Sequence, residues 1–322
     1  MSKRDEILSL VLDGDDPGYV PAAFFLHFPE EFHEGQAAAD KHMEYFRFTG
    51  MDLVKIQFEQ PFPLLDSIEK ADDWADMPFY DVDFYHGQIE AVKELVEAAD
   101  GQALTVVTLY SAFMCAMQTS GPELVSKHLL SNPEAFCKGL EAITESLLVF
   151  VNACIDAGVD GFYSSTQGGE DFRFDNKKIF EDYVKPYDLL MWEKLEANCD
   201  FNILHVCDYH GKYSDLSTFA EYPGEIVNAP LELTTGPVSA AEITDQFGRP
   251  YMGGLDRFGV IAGGSEEDIR ETVYDTLDAH PKISILGADC TLPPDTEWEN
   301  IKTAIEAAHS YERSVVEEDE ED

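Results

Sequence analysis

Apolar residues in this chain gather into short runs, and most of the stretches that follow repeat their apolar positions every three or four residues. The runs are "VPAAFFLHF" (20–28), "DLVKIQFE" (52–59), "LTVVTLYS" (104–111), "GFYSST" (161–166), "NILHVC" (202–207), "IVNAPLE" (226–232), "YMGGLD" (251–256) and "ISILGADC" (283–290). Short, bounded by turn formers and rich in β-branched and aromatic residues, they read as strands. The stretches between them read as amphipathic helices. In "AFCKGLEAITESLLVFVNACIDAG", Phe136, Leu140, Ile143, Leu147 and Phe150 fall on one helical face. Ser265 with Asp268 in "GGSEEDIRETV" forms an N-cap box, and Pro293, Pro294, Asp295 and Thr296 announce the last helix, "WENIKTAIEAAHSYE".

Strand and helix alternating eight times predict an α/β fold of the (β/α)8, or TIM, barrel type. No linker rich in Gly, Ser or Pro interrupts it, so a single domain is expected over residues 1–313. The acidic end, 314–322, reads as a solvated, disordered tail. Residues 60–87 are too many for a barrel loop and read as an excursion near the active face.

Reactive groups in such barrels come from the C-terminal ends of the strands. In "ILHVCDYHG" (203–211) strand alternation places His205 and Cys207 on one face. The last run ends in Asp289 and Cys290, the seventh in Asp256 and Arg257, the sixth in Glu232 and the first in His27. One imidazole and two thiolates with a further open position suit zinc better than magnesium or calcium, which prefer oxygen cages. Cys290 joins His205 and Cys207 only if the barrel closes. Glu232 reads either as a fourth ligand displaced by substrate or as an acceptor for a loop amide. His27 reads either as a packed core histidine or as a group facing substrate.

The other cysteines, 115, 137, 154 and 199, read as small buried hydrophobes. "SSTQGGED" (164–171) has the composition of a phosphate loop without its spacing, and is expected to face substrate. "GGLDR" (253–257) is too short to indicate dinucleotide binding, and no GxSxG elbow surrounds any serine.

A chain of 322 residues can bury a large core without disulfides, and its six cysteines include no CxxC pair. With no charged-then-apolar leader, it reads as a reducing, cytoplasmic protein with free thiols. Its apolar runs break well short of the roughly twenty residues that cross a bilayer. Asp and Glu number 64 against 21 Lys and Arg, a formal charge of -43 that repels nucleic acid and anionic lipid. Since 44% of the residues are hydrophobic, this acidity does not mean disorder. It reads as a halophilic adaptation, in which cations screen self-repulsion, with an acidic enzyme of ordinary salt as the alternative.

"ILHVCDYHG", "YMGGLDRFGVIAGGSEEDIRETV" and "ILGADCTLPPDTEWENIKTAIEAAHSY" resemble the uroporphyrinogen decarboxylase superfamily, and the resemblance runs from "PAAFFLHF" to the last helix. Decarboxylases of that superfamily hold an octacarboxylate tetrapyrrole with N-terminal arginines and use an aspartate of the second strand. Here the corresponding stretches read "FFLHFPEEFHEG" and "KIQFEQ", with neither. The other branch comprises zinc-dependent methyltransferases that work with corrinoid proteins, including those that methylate coenzyme M. Its H-x-C and later Cys are similar to His205, Cys207 and Cys290. The chain is similar also to the zinc site of cobalamin-independent methionine synthase, where a glutamate joins the ligands, which is why Glu232 is named here.

The resemblance therefore implies a zinc-dependent methyltransferase exchanging a methyl group between a corrinoid protein and a small thiol or methylated small molecule. The corrinoid would arrive on a partner protein. Arg257 would attract a sulfonate-bearing thiol, or else pair structurally with Asp256. A tetrapyrrole decarboxylase and a non-catalytic corrinoid- or porphyrin-binding barrel are the alternatives.

Overall fold

Nine strands are present in the computed structural model, which describes residues 2–313. They are β1 (Leu53–Ile56), β2 (Leu104–Tyr110), β3 (Gly161–Thr166), β4 (Ile203–Val206), β5 (Ile226–Asn228), β6 (Glu232–Leu233), β7 (Gly236–Pro237), β8 (Tyr251–Leu255) and β9 (Ile283–Ala288). Seven form a parallel sheet in the order β1-β2-β3-β4-β5-β8-β9, and β6 and β7 make a separate antiparallel hairpin. Parallel strands covered on both sides should be apolar throughout. In β2, accordingly, Leu104, Val106, Val107 and Leu109 are all fully buried.

The first predicted strand, 20–28, does not form a regular strand. It lies extended between the two outer strands, with a single bridge from Ala22 to Leu286 of β9. Leu286 N–H donates to Pro21 O at 2.8 Å, Ala23 N–H to Leu286 O at 3.0 Å, and Asp52 N–H, just before β1, to Ala22 O at 3.0 Å. Pro21 has no N–H to continue the ladder, which keeps the contact short.

Two other expectations are corrected. The sixth predicted strand, 226–232, is the shorter β5 and ends at Asn228, because Pro230 removes a donor and turns the chain away from the sheet. Glu232 therefore sits on the β6–β7 hairpin instead of at a strand end. Strand-helix alternation also fails once. Between β4 and β5 the only helical element is the 3-10 turn Ser217–Phe219, in a segment broken by Gly211, Ser214 and Asp215.

Elsewhere the helices form as their periodicity predicts. Pro133–Ala157 is capped by the Asn132 side chain, which accepts from Ala135 N–H at 3.2 Å, and it ends at Gly158 in a left-handed conformation. Its Phe136, Leu140, Ile143, Leu147 and Phe150 are fully buried, each worth roughly 1.5–3 kcal/mol of apolar transfer. Ser265 caps Glu266–Ala279 through a box with Asp268.

The 60–87 excursion packs back onto this framework. Phe62 N–H donates to the Gln118 side chain at 2.9 Å, and Trp74 is buried beside Gly139, where a Cβ would come within 2.6 Å of the indole. The acidic tail expected at 314–322 lies outside the described residues. Among those described, no helix is long and apolar enough to cross a membrane.

Candidate metal centre

At the C-terminal ends of the parallel strands lies a cavity of about 570 Å³. The two-residue period of a strand decides what lines it. Thr108 and Tyr110 of β2, Tyr163 and Ser165 of β3 with Gln167 beyond it, and His205 of β4 with Cys207 just past its end all face it. Cys290 enters two residues past the end of β9.

The ligand-competent atoms of His205, Cys207 and Cys290 lie within 4.8 Å of one another. The two sulfurs are 3.8 Å apart, far beyond a disulfide. Tetrahedral zinc with metal–sulfur bonds of about 2.3 Å requires sulfurs about 3.8 Å apart, so the spacing fits such an ion. His205 Nδ1 is buried with no hydrogen-bond partner among the described residues, an uncommon state for a polar atom. The Cys290 thiol is held well below the ordinary range, first by the hydrogen bond from Cys207, then, against burial, by His205 and Arg257. Such a thiolate is the form that binds metal.

Neighbouring groups hold these three in place. Gln167 Nε2 donates to Cys207 Sγ at 3.1 Å, and Tyr213 OH to Cys207 O at 2.7 Å. The His205 ring lies against Tyr163, with centroids 4.8 Å apart. Tyr163 OH donates to Asn228 Oδ1 at 2.7 Å, and Asn228 Nδ2 donates to Met252 O and Ala288 O at 2.9 and 3.0 Å. This buried chain of bonds ties β3, β5, β8 and β9 together directly beneath the cluster.

Arg257 lines the cavity, but its partners are not Asp256, which is exposed. Its Nη1 donates to Asp208 Oδ1 at 2.7 Å and to Asp289 Oδ2 at 3.0 Å, and its backbone N–H donates to Asp289 Oδ1 at 2.9 Å. These bonds brace the residues that directly follow Cys207 and precede Cys290. Burial pushes Asp289 up to about 6, with Arg257 opposing.

His27 also lines the cavity, with Nδ1 2.8 Å from Glu59 Oε1. Glu59 is held in turn by its own N–H donating to Gln88 Oε1 at 2.8 Å. Glu232 is exposed on its hairpin and stands apart from the cavity and the cluster. Cys115, Cys154 and Cys199 are buried and Cys137 half-buried, all away from the cluster. The 164–171 stretch begins on β3, where Ser165 faces the cavity; of the loop that follows, Gln167 faces it too, while Glu170 accepts a bidentate pair from Arg173 at 2.7 and 2.9 Å.

Sequence reading missed Gln167, the Tyr163–Asn228 bond and Lys55. The last did leave a signal: a lone basic residue inside the apolar run "DLVKIQFE".

Among solved structures the fold is similar to a methyltransferase from Methanosarcina mazei, with TM-score 0.73, 17% identity, and 96% of this chain and 98% of that one covered. It is also similar to a B12-independent methionine synthase from Shewanella sp. W3-18-1, with TM-score 0.57, 10% identity and coverage of 89% and 97%. A putative vitamin-B12-independent methionine synthase from Listeria monocytogenes gives TM-score 0.54, 15% identity and 85% of both chains. At these identities the likeness is one of fold. No curated protein matches the chain in sequence. A family model does: that of uroporphyrinogen decarboxylase (URO-D) matches residues 45–311, and the chain belongs to that family.

Proposed function

We propose that this protein is a zinc-dependent methyltransferase built on a (β/α)8 barrel, moving a methyl group between a corrinoid protein and a small thiol or methylated small molecule. The observation that carries the reading is the convergence of His205, Cys207 and Cys290 within 4.8 Å at the wall of a substrate-sized cavity. The fold likeness to proteins named as a methyltransferase and methionine synthases supports it. The extended 20–28 segment, bonded to both β9 and the start of β1, supports barrel closure.

His205, Cys207 and Cys290 would hold zinc, which when bound supplies the Lewis acidity that favours a substrate thiol in its deprotonated form. Gln167 orients Cys207 and offsets part of its charge through the bond to Sγ. The Arg257 bridge keeps the two cysteine-bearing segments at a fixed separation. His27, donating through Nδ1 to Glu59, has Nε2 free to accept the proton of an incoming thiol. The corrinoid would come on a partner protein at the cavity mouth. Weighing against a tetrapyrrole decarboxylase, Lys55 and Arg257 are the only basic residues other than histidines among those lining the cavity, too few for an octacarboxylate.

Elemental analysis of purified protein tests the metal: about one zinc per chain is expected, lost in His205→Ala, Cys207→Ala and Cys290→Ala. A metal-free wild type that cannot be reconstituted would refute the reading. We place the protein in the cytoplasm of a salt-adapted cell, on its charge of -43 and its free cysteines. Its unfolding midpoint should then rise with KCl into the molar range; a flat or falling curve would remove the halophilic assignment.

A further inference from the structure

Lys55 is the cavity residue that neither the metal centre nor the proton-accepting dyad uses. It sits on β1 with its side chain facing inward, only 4% exposed. In a chain of 64 acidic and 21 basic residues it makes no ion pair among the described residues. Its single hydrogen bond is to Gln57 Oε1, at 3.0 Å. That oxygen also accepts from Thr108 Oγ1 at 3.1 Å, and Gln57 Nε2 donates to Leu26 O at 3.2 Å, which fixes the carboxamide in this orientation.

An ammonium brings three donors and a full charge, whereas a neutral amine brings two donors and a lone pair. One amide acceptor and no carboxylate suit the amine better. Removal from water acts the same way, because burial penalises the charged form. The faces of Phe25 and Tyr163, with ring centroids 4.4 and 4.2 Å from Nζ, favour the cation, but less than the water they replace. Burial brings Lys55 down to about 7, against the opposing pull of Cys290, Glu59 and Cys207. Two other titratable neighbours add no charge near neutral pH: burial brings His42 down to about 4 and raises Tyr163. The Tyr163 ring that covers Lys55 also lies against His205, so the amine stands near the metal ligands without bonding to them.

At neutral pH a side chain so placed offers a lone pair at the wall of a cavity of about 570 Å³. A desolvated lysine of this kind attacks carbonyl carbon. We propose that Lys55 is a second reactive centre of this cavity, a nucleophilic amine that condenses with small uncharged aldehydes. This goes beyond methyl transfer and does not depend on it. The rings beside Nζ, with Met114, Met117 and Leu292 elsewhere on the wall, favour an apolar carbonyl compound, and the crowding by two rings favours an aldehyde over a ketone.

In the first step the nitrogen lone pair forms the C–N bond and the carbonyl π pair moves to oxygen. The proton that nitrogen releases ends on that oxygen, giving a carbinolamine. A second proton lets the hydroxyl leave as water, and the nitrogen lone pair closes the C=N bond of an imine that keeps the positive charge. Nothing is oxidised or reduced.

The test treats full-length protein in high salt with propanal and sodium cyanoborohydride, which reduces the imine to a stable secondary amine. Peptide mass spectrometry then locates the labelled lysines. The reaction is run with and without added zinc, so that a failure of the metal reading leaves it intact. At pH 7 Lys55 should label about tenfold or more faster than the exposed Lys93 and Lys212, because an ordinary lysine, with a pKa of about 10.4, is almost wholly protonated there. That lead should shrink from pH 7 to pH 9, by up to about tenfold per unit, since only the exposed lysines still gain neutral amine.

Gln57→Glu sets a carboxylate against Nζ and should remove most of the lead at pH 7. Lys55→Met should lose this label and gain no other, which secures the assignment. The wild-type comparison stands even where a variant fails to fold. A Lys55 that labels no faster than Lys93 and Lys212 at pH 7, a lead that does not shrink with pH, or one unchanged in Gln57→Glu overturns the proposal.

Discussion

Arg257 and Lys55 line the same cavity from opposite sides of the sheet order, and their surroundings treat them differently. Arg257, beyond β8, is met by two carboxylates at 2.7 and 3.0 Å. Lys55, on β1, is met by an amide oxygen and two aromatic faces. The first arrangement stiffens the cavity wall, because each partner adjoins a proposed metal ligand in sequence. The second leaves the amine without a counter-charge and able to shed its proton. A basic side chain thus becomes framework in one place and a reactive group in the other, according to whether a carboxylate lies within reach.

Substitution should separate the two sharply. Arg257→Met strands Asp208 and Asp289 facing each other, and is expected to lower stability by about 3–5 kcal/mol, as for other broken buried pairs. Denaturant unfolding measures this, and Asp208→Asn in the same background should recover part of it. A loss below about 1 kcal/mol would mean that the bridge is solvated and not structural.

Lys55→Met should do the reverse at pH 7, raising stability on the order of 1 kcal/mol by replacing an unpaired buried cation with an apolar chain of similar length. The size of that gain should depend on pH. Lys55 titrates near 7 in the folded protein against an ordinary 10.5. Between those values the unfolded chain holds the proton and the native chain does not, so wild-type stability gains with rising pH. Lys55→Met lacks this gain, and its advantage should shrink between pH 7 and pH 10 in parallel unfolding curves. An advantage constant over that range would place the native Lys55 pKa near its ordinary value.

Much of this site was legible along the chain. Strand alternation placed His205 and Cys207 on one face, and both do line the cavity. The helix of 133–157 and the Ser265 cap were readable because their signals lie within one or two turns. The extended character of 20–28 was readable too, but not its pairing, which Pro21 limits to one bridge. Glu232 was misplaced because a run of apolar residues does not say where a proline takes the chain out of a sheet. Lys55 was overlooked because a single lysine in a strand looks the same whether a carboxylate awaits it or not.

Periodicities of two and 3.6 residues depend on neighbours a few positions away, so the sequence by itself determined most of the strands and helices, their apolar faces and the pairing of His205 with Cys207. Proximity of residues far apart along the chain does not follow from any local period. Only the tertiary structure decided that Cys290 comes within 3.8 Å of Cys207, that Arg257 finds Asp208 and Asp289, and that Lys55 finds no carboxylate. Each of those outcomes depends on how remote segments pack, because electrostatic and coordination chemistry act through space and not along the backbone.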